Sequence, residues 1–192
     1  SLLQAILEKM NTFLLDIPNI PHESTPVGRN EDDNVVVRKH GDILSSNTAD
    51  HLDITSKIDT DLAVKLAGSR FAVLKGGVAK LQRALISLML DTAIKNGYEE
   101  YYVPFMANKE SLTGTGQLPK FEEDLFKTTE NLYLIPTAEV PLTNVHRDTL
   151  TEIGKLPLKL TSHTPCFRSE AGSYGRDTKG LMYNSKYNIS LL

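Results

Sequence analysis

The sequence has no tryptophan and a single cysteine, Cys166. One thiol cannot close an internal disulfide, and a single cysteine among scattered histidines does not supply the paired Cys/Cys or Cys/His sets of a zinc module. A disulfide scaffold and a zinc module are therefore excluded. The five histidines (His22, His40, His51, His146, His163) are too scattered to form a local metal motif, so no metal site is expected. Long hydrophobic runs are missing too. No apolar stretch approaches the ~18 residues of a membrane span, which excludes a helical membrane protein. Charge of one sign is also scarce. There are 21 basic against 24 acidic residues, net −3, so a general cationic coat for nucleic acid is absent, although a local basic face stays open. The lone cysteine fits a reducing compartment. The chain opens Ser1-Leu2-Leu3 without the basic-then-apolar pattern of a signal peptide, and a cut or processed piece is expected. What is present is ordinary for a globular protein. The 192 residues are 40% hydrophobic and 23% charged, enough to bury a core and too apolar for wholesale disorder.

Leu3, Leu7, Met10, Leu14 and Ile17 step by four and three, the seam of an amphipathic helix. At about two heptads it is too short to stand as a coiled coil. Pro18 and Pro21 end it. Residues 18–50 read as a polar connector, within which Val35-Val36-Val37 predicts a short strand. The strongest helix is predicted over 78–96. Val78, Leu81, Leu85, Leu88 and Thr92 form one stripe, and Ile86, Met89, Leu90 and Ala93 widen it. A helix so apolar is buried or packs on another subunit. Asn96-Gly97 is a good stop. Strands are predicted over 98–103, 131–136, 158–162 and 164–170. Gly114-Thr115-Gly116 reads as a flexible loop, because Pro119 stands where a dinucleotide loop needs glycine. Strands that cluster after a long helix without βα alternation predict an α+β plan with a mostly antiparallel sheet.

Three constellations carry chemistry. In Phe167-Arg168-Ser169-Glu170, strand alternation puts Arg168 and Glu170 on one face, about 7 Å apart. Arginine's fork suits a phosphate or carboxylate, yet a surface ion pair explains the same residues. Thr137-Ala138-Glu139 follows Pro136. Thr137 suits a helix N-cap with an acid in the first turn, or the hydroxyl and carboxylate face a cleft that fits an ammonium group. The stretch 171–180 holds three glycines with Arg176 and Lys179, either a hairpin tip or a basic loop that folds over phosphates.

Taken together and in this order, the segments resemble the seryl-tRNA synthetases, members of the class II aminoacyl-tRNA synthetases. Ile17-Pro18-Asn19-Ile20-Pro21-His22-Glu23-Ser24 with Pro26-Val27-Gly28 looks like the junction between that family's tRNA-binding arm and its catalytic domain. Gly68-Ser69-Arg70-Phe71-Ala72-Val73-Leu74-Lys75-Gly76 is similar to the start of the class II core. The long helix, then Gly97-Tyr98 and Pro104, looks like motif 1. Thr137-Ala138-Glu139-Val140-Pro141-Leu142 is similar to the serine-side segment, and Thr164-Pro165-Cys166-Phe167-Arg168-Ser169-Glu170-Ala171-Gly172 to the first half of motif 2.

The resemblance implies an antiparallel sheet flanked by helices, incomplete here, with residues 1–18 as the end of the helical arm and 19–192 as a partial catalytic domain. It implies a cytoplasmic serine–tRNA ligase that activates L-serine with ATP and Mg²⁺ and transfers it to tRNA(Ser), dimeric through motif 1. Thr137, Ala138 and Glu139 would bind serine, Glu139 through its ammonium. Arg168 would bridge the serine carboxylate and the α-phosphate and offset the charge of the transition state. Ser169, Glu170 and Tyr187 would complete the ATP side, Glu170 at the adenine end and Tyr187 by stacking. The loop 172–180 would close over ATP and meet the tRNA acceptor end. In-line attack on phosphorus needs anions brought together and neutralised rather than a histidine or cysteine.

After Leu181-Met182 the sequence departs from the family. Leu191 stands where a serine-binding carboxylate is expected, and motif 3 with its ATP-clamping arginine is not found. The isolated chain is therefore expected not to aminoacylate, as a truncated synthetase. The alternative is a non-catalytic synthetase-like paralogue acting as a dimeric interaction module.

Overall fold

A computed structural model describes residues 1–42, 49–69 and 71–169, together with the backbone of 187–191. Two compact units are present, Ser1–Thr48 and Ala49–Leu192.

In the first unit the expected helix forms as α1, Leu2–Leu15. The Ser1 hydroxyl accepts the Gln4 amide at its start, and Asp16 closes it two residues before Pro18. The strand predicted at Val35–Val37 does not form. These residues are exposed, and among the described residues no strand pairs with them. β-Branched side chains favour a strand only where a neighbouring strand and an apolar face receive them.

The second unit opens with a short helix α2 (His51–Ile54). Strand β1 (Ile58–Asp59) then leads into α3 (Thr60–Ala67), whose first turn is capped by the Asp59 carboxylate on the Leu62 amide at 2.8 Å. Strand β2 (Val73–Leu74) pairs antiparallel with β1. The Lys75 ammonium reaches the same Asp59 at 2.6 Å and ties that pair to the start of the long helix.

Helix α4 runs Gly76–Lys95 and stops as its sequence predicts, with Gly97 at φ +82°. Its apolar stripe is not covered. Leu81 is 57% and Leu88 60% exposed, and Leu85 and Met89 are exposed beside them. Ala93 is the one residue of α4 buried in the chain. Of the two expectations for this helix, burial within the chain fails.

Strand β3 (Glu99–Glu100) is shorter than predicted. Strand β4 (Met106–Ala107) and helix α5 (Lys109–Gly114) follow. The predicted loop at Gly114–Gly116 is a hydrogen-bonded turn. Gly116 takes φ +77°, and the Gln117 and Leu118 amides both return to the Leu112 carbonyl. Strand β5 (Tyr133–Leu134) pairs antiparallel with β4, and helix α6 (Glu139–Asn144) packs on α5. Gly114 makes that packing possible. A Cβ there would lie 2.9 Å from the Asn144 side-chain oxygen. Asn144 cannot simply swing away, because its amide nitrogen donates to the Ser111 and Val140 carbonyls at 2.9 and 2.8 Å. Gly114→Ala is expected to destabilise the unit by about 1–3 kcal/mol, the usual cost of overpacking. Urea unfolding with an unchanged slope checks it.

The two strands predicted at 158–162 and 164–170 are one strand, β6 (Leu160–Pro165). It is the centre of a three-stranded sheet, parallel to β3 on one side and antiparallel to β7 (Tyr187–Leu191) on the other. The remaining described pairs are antiparallel, so the α+β plan holds, with one parallel pairing in it. Two buried clusters make the core. One gathers Leu112, Leu118, Leu125, Tyr133, Ile135 and Val140. The other joins Val103, Ala138, Leu142 and Leu160, and so seats α6 against β6.

Strand β6 carries His163, whose buried Nε2 has no partner among the described residues. Burial pushes its pKa below the ordinary histidine value. The unfolded chain therefore takes up a proton first as pH falls. Stability is full above about pH 6.5, the ordinary histidine pKa. It is lost as pH drops from there through the lowered folded value. Thermal unfolding between pH 7.5 and 5 is expected to show this decline, and His163→Gln is expected to flatten it.

Candidate active site

Strand β5 ends at Leu134 and is followed by Ile135 and Pro136, both buried. The chain then turns through Thr137 and Ala138 into α6. The helix cap falls on Ala138, already helical at φ −65° and ψ −20°, so the expected capping role of Thr137 is not realised. The main-chain oxygen of Thr137 accepts the Val140 amide at 3.4 Å. Ala138 is fully buried against β6, Thr137 is half-buried, and Glu139 is exposed on the first turn. A carboxylate at a helix N-terminus is favoured by the helix dipole and by the amides left unpaired there.

Strand β6 stops at Pro165, so Arg168 does not stand on a strand as predicted, and its expected partner on the same face, Glu170, lies outside the described residues. The reason lies in the donors. The Phe167 amide gives its hydrogen bond to the Ile135 carbonyl at 2.9 Å, and the Ser169 amide gives its own to the Asp124 carbonyl at 3.0 Å. Both are thus spent on loop carbonyls rather than on a ladder. The guanidinium of Arg168 donates through Nε to the Pro136 carbonyl at 3.1 Å. Among the described residues no carboxylate pairs with it. Arginine anchored by Nε still has two terminal amines, and these form the fork that grips phosphate or carboxylate. The Ser169 hydroxyl donates to the Glu123 carbonyl at 2.8 Å.

The structure therefore joins two segments 32 residues apart, Arg168 and the Pro136 carbonyl immediately before Thr137-Ala138-Glu139. It places Tyr187 opposite Pro165 in the β6–β7 register, at the end of β6 from which Arg168 emerges. Glu170 and the loop 172–180 lie outside the described residues. Sequence reasoning missed the short turn Glu122–Asp124 that receives Ser169, and Tyr133 and Lys127 behind it. The acidic run Glu122-Glu123-Asp124 was the one visible signal. Among the described residues no group of three histidines, cysteines or carboxylates is placed to hold a metal ion, and no helix is long and apolar enough to cross a membrane.

Residues 120–188, which span this site, match the family model described as the tRNA synthetase class II core domain (G, H, P, S and T). Over nearly the whole sequence, the chain is 54% identical to the serine–tRNA ligase of Hydrogenovibrio crunogenus, covering 95% of this chain and 46% of the relative. The chain is similar to the seryl-tRNA synthetases across nearly its whole length. The serine–tRNA ligase of Cupriavidus taiwanensis is 52% identical over 97% of the chain and 46% of its own length. Two solved family structures superpose well. Seryl-tRNA synthetase from Pyrococcus horikoshii complexed with ATP gives a TM-score of 0.86 at 32% identity, over 98% of this chain and 48% of that one. Cytoplasmic serine–tRNA ligase from Naegleria fowleri in complex with AMP gives 0.80 at 32% identity, over 93% and 44%. The fold is thus the α+β class II fold, and the chain spans about half the length of the curated relatives it matches, 46% for the first two.

Proposed function

We propose that this chain carries part of the catalytic domain of a serine–tRNA ligase, which activates L-serine with ATP to seryl-adenylate and transfers it to tRNA(Ser). Residues 1–18 are the end of the helical arm and 19–192 the partial catalytic domain. The observation that carries the reading is the bond from Arg168 Nε to the Pro136 carbonyl. It sets a guanidinium fork beside Thr137, Ala138 and Glu139, the segment read as serine-binding.

Glu139 suits the substrate ammonium and Thr137 a polar contact. Arg168 holds the serine carboxylate and the α-phosphate together and offsets the charge that grows on phosphorus. Ser169, engaged with a carbonyl, supports Arg168 from the chain side. Glu170 and Tyr187 belong to the adenine side of the same reading. Mg²⁺ arrives with the phosphates of ATP. It commonly keeps its waters and binds through one or two carboxylates plus phosphate, and the described residues offer no cage for it. The protein acts in the cytoplasm. Its exposed α4 stripe is the homodimer surface, since leucines this exposed need a cover.

Calorimetric titration of the 192-residue chain with Mg·ATP, then serine, tests the reading, followed by serine-dependent ATP–pyrophosphate exchange. Binding of both ligands is expected. Absence of ATP binding would overturn the reading and leave the non-catalytic dimeric module, which the α4 stripe favours independently of any ligand.

A further inference from the structure

Behind Arg168 lies a second layer of contacts that the proposed chemistry does not itself use. The Tyr133 ring is buried, and its hydroxyl donates to Glu122 Oε1 at 2.7 Å. The Lys127 ammonium reaches the same carboxylate oxygen at 3.3 Å and lies 5.4 Å above the Tyr133 ring. Glu122 is the first residue of the short turn Glu122–Asp124, closed by the Leu125 amide on the Glu122 carbonyl at 3.1 Å. The next two carbonyls of that turn, Glu123 and Asp124, accept the hydroxyl and the amide of Ser169. Ser169 is the immediate neighbour of Arg168. A turn this short has little internal hydrogen bonding to fix its carbonyls. The buried phenol, the carboxylate and the ammonium fix them from outside.

We propose that Tyr133 is a positioning residue for Arg168: through Glu122 it locks the Glu122–Asp124 turn, whose two carbonyls hold Ser169 and so set the direction of the guanidinium. This rests on the reading of Arg168 as the anion-binding group. The other side of the grip runs through Ile135 and Pro136, just after β5. It does not pass through Glu122, so the two sides are separable.

Tyr133→Phe keeps the buried ring and the Lys127 contact and removes one O–H donor. In the full chain it is expected to lower the hydrogen-exchange protection of the Ser169 amide about tenfold, as loss of a hydrogen bond worth about 1.4 kcal/mol would do. Protection of the Phe167 amide, held by Ile135, is expected to stay unchanged. Affinity for Mg·ATP is expected to fall about three- to tenfold, within the range of one lost hydrogen bond. Glu122→Gln retains an acceptor for the phenol and is expected to keep Ser169 protected, whereas Glu122→Ala is expected to behave like Tyr133→Phe. Equal loss of protection at Ser169 and Phe167 would make Tyr133 a core residue only and overturn the proposal. So would unchanged protection at Ser169, or unchanged ATP affinity in Tyr133→Phe. If the unsubstituted chain itself fails to bind ATP, the reading of Arg168 falls and this proposal with it. That outcome is visible before any variant is made.

Discussion

Replacing Arg168 by alanine is expected to weaken Mg·ATP binding by about 10–100-fold, because a hydrogen bond to a charged group is worth about 1.5–3 kcal/mol. If the chain catalyses pyrophosphate exchange, the rate is expected to fall further, by about 10²–10³, since a preorganised charge counts most when the transition state forms. Arg168→Lys keeps the charge but has no Nε to reach the Pro136 carbonyl and no fork. It is expected to recover little. Calorimetric titration of the three proteins side by side checks the order. Equal affinities would remove Arg168 from the site.

The largest effect on stability is expected at Ile135. Its side chain is fully buried in the cluster around Leu112, Tyr133 and Val140. Ile135→Ala is expected to cost about 2–5 kcal/mol, transfer and cavity together, and Ile135→Val about 0.5–1.5. The Phe167 amide bonds to the main-chain carbonyl of residue 135, which the substitution leaves in place. The folded fraction is therefore expected to bind ATP as before. Denaturant unfolding gives the first quantity and titration below the transition the second. A loss of binding as large as that from Arg168→Ala, without unfolding, would mean that Ile135 shapes the site directly.

Helix α4 and its stop were legible because both follow from local signals, a run of apolar residues at helical spacing and a glycine that takes positive φ cheaply. That the stripe of α4 is exposed was not legible, because the same apolar run suits burial within the chain equally well. Strand extents were not legible. Whether Cys166 to Ser169 continue β6 depends on which carbonyls their amides find, and Ile135 and Asp124 are far away in sequence. Val35–Val37 failed for the converse reason, since propensity without a pairing strand does not make a sheet. The parallel β3–β6 pairing carried no local signal either. For the site, Thr137 to Glu139 and Arg168 were legible through resemblance to a family. Their meeting was not, because the link between them is a main-chain oxygen. The supporting Tyr133, Glu122 and Lys127 were illegible for the same kind of reason, as three ordinary residues that become a unit only when the chain folds back.

Among the described residues, every acceptor that grips Phe167, Arg168 and Ser169 is a peptide oxygen, supplied by Ile135, Pro136, Glu123 and Asp124. A peptide oxygen is present whatever the side chain. The grip is consequently lopsided in its tolerance to sequence drift. Exchanges at the exposed acceptor position Glu123 leave it chemically intact as long as the turn keeps its shape. On the donor side, an exchange of Arg168 removes a bond outright, and at Ser169 only threonine keeps the hydroxyl. A lineage can therefore rewrite Glu123 far more freely than Arg168 or Ser169.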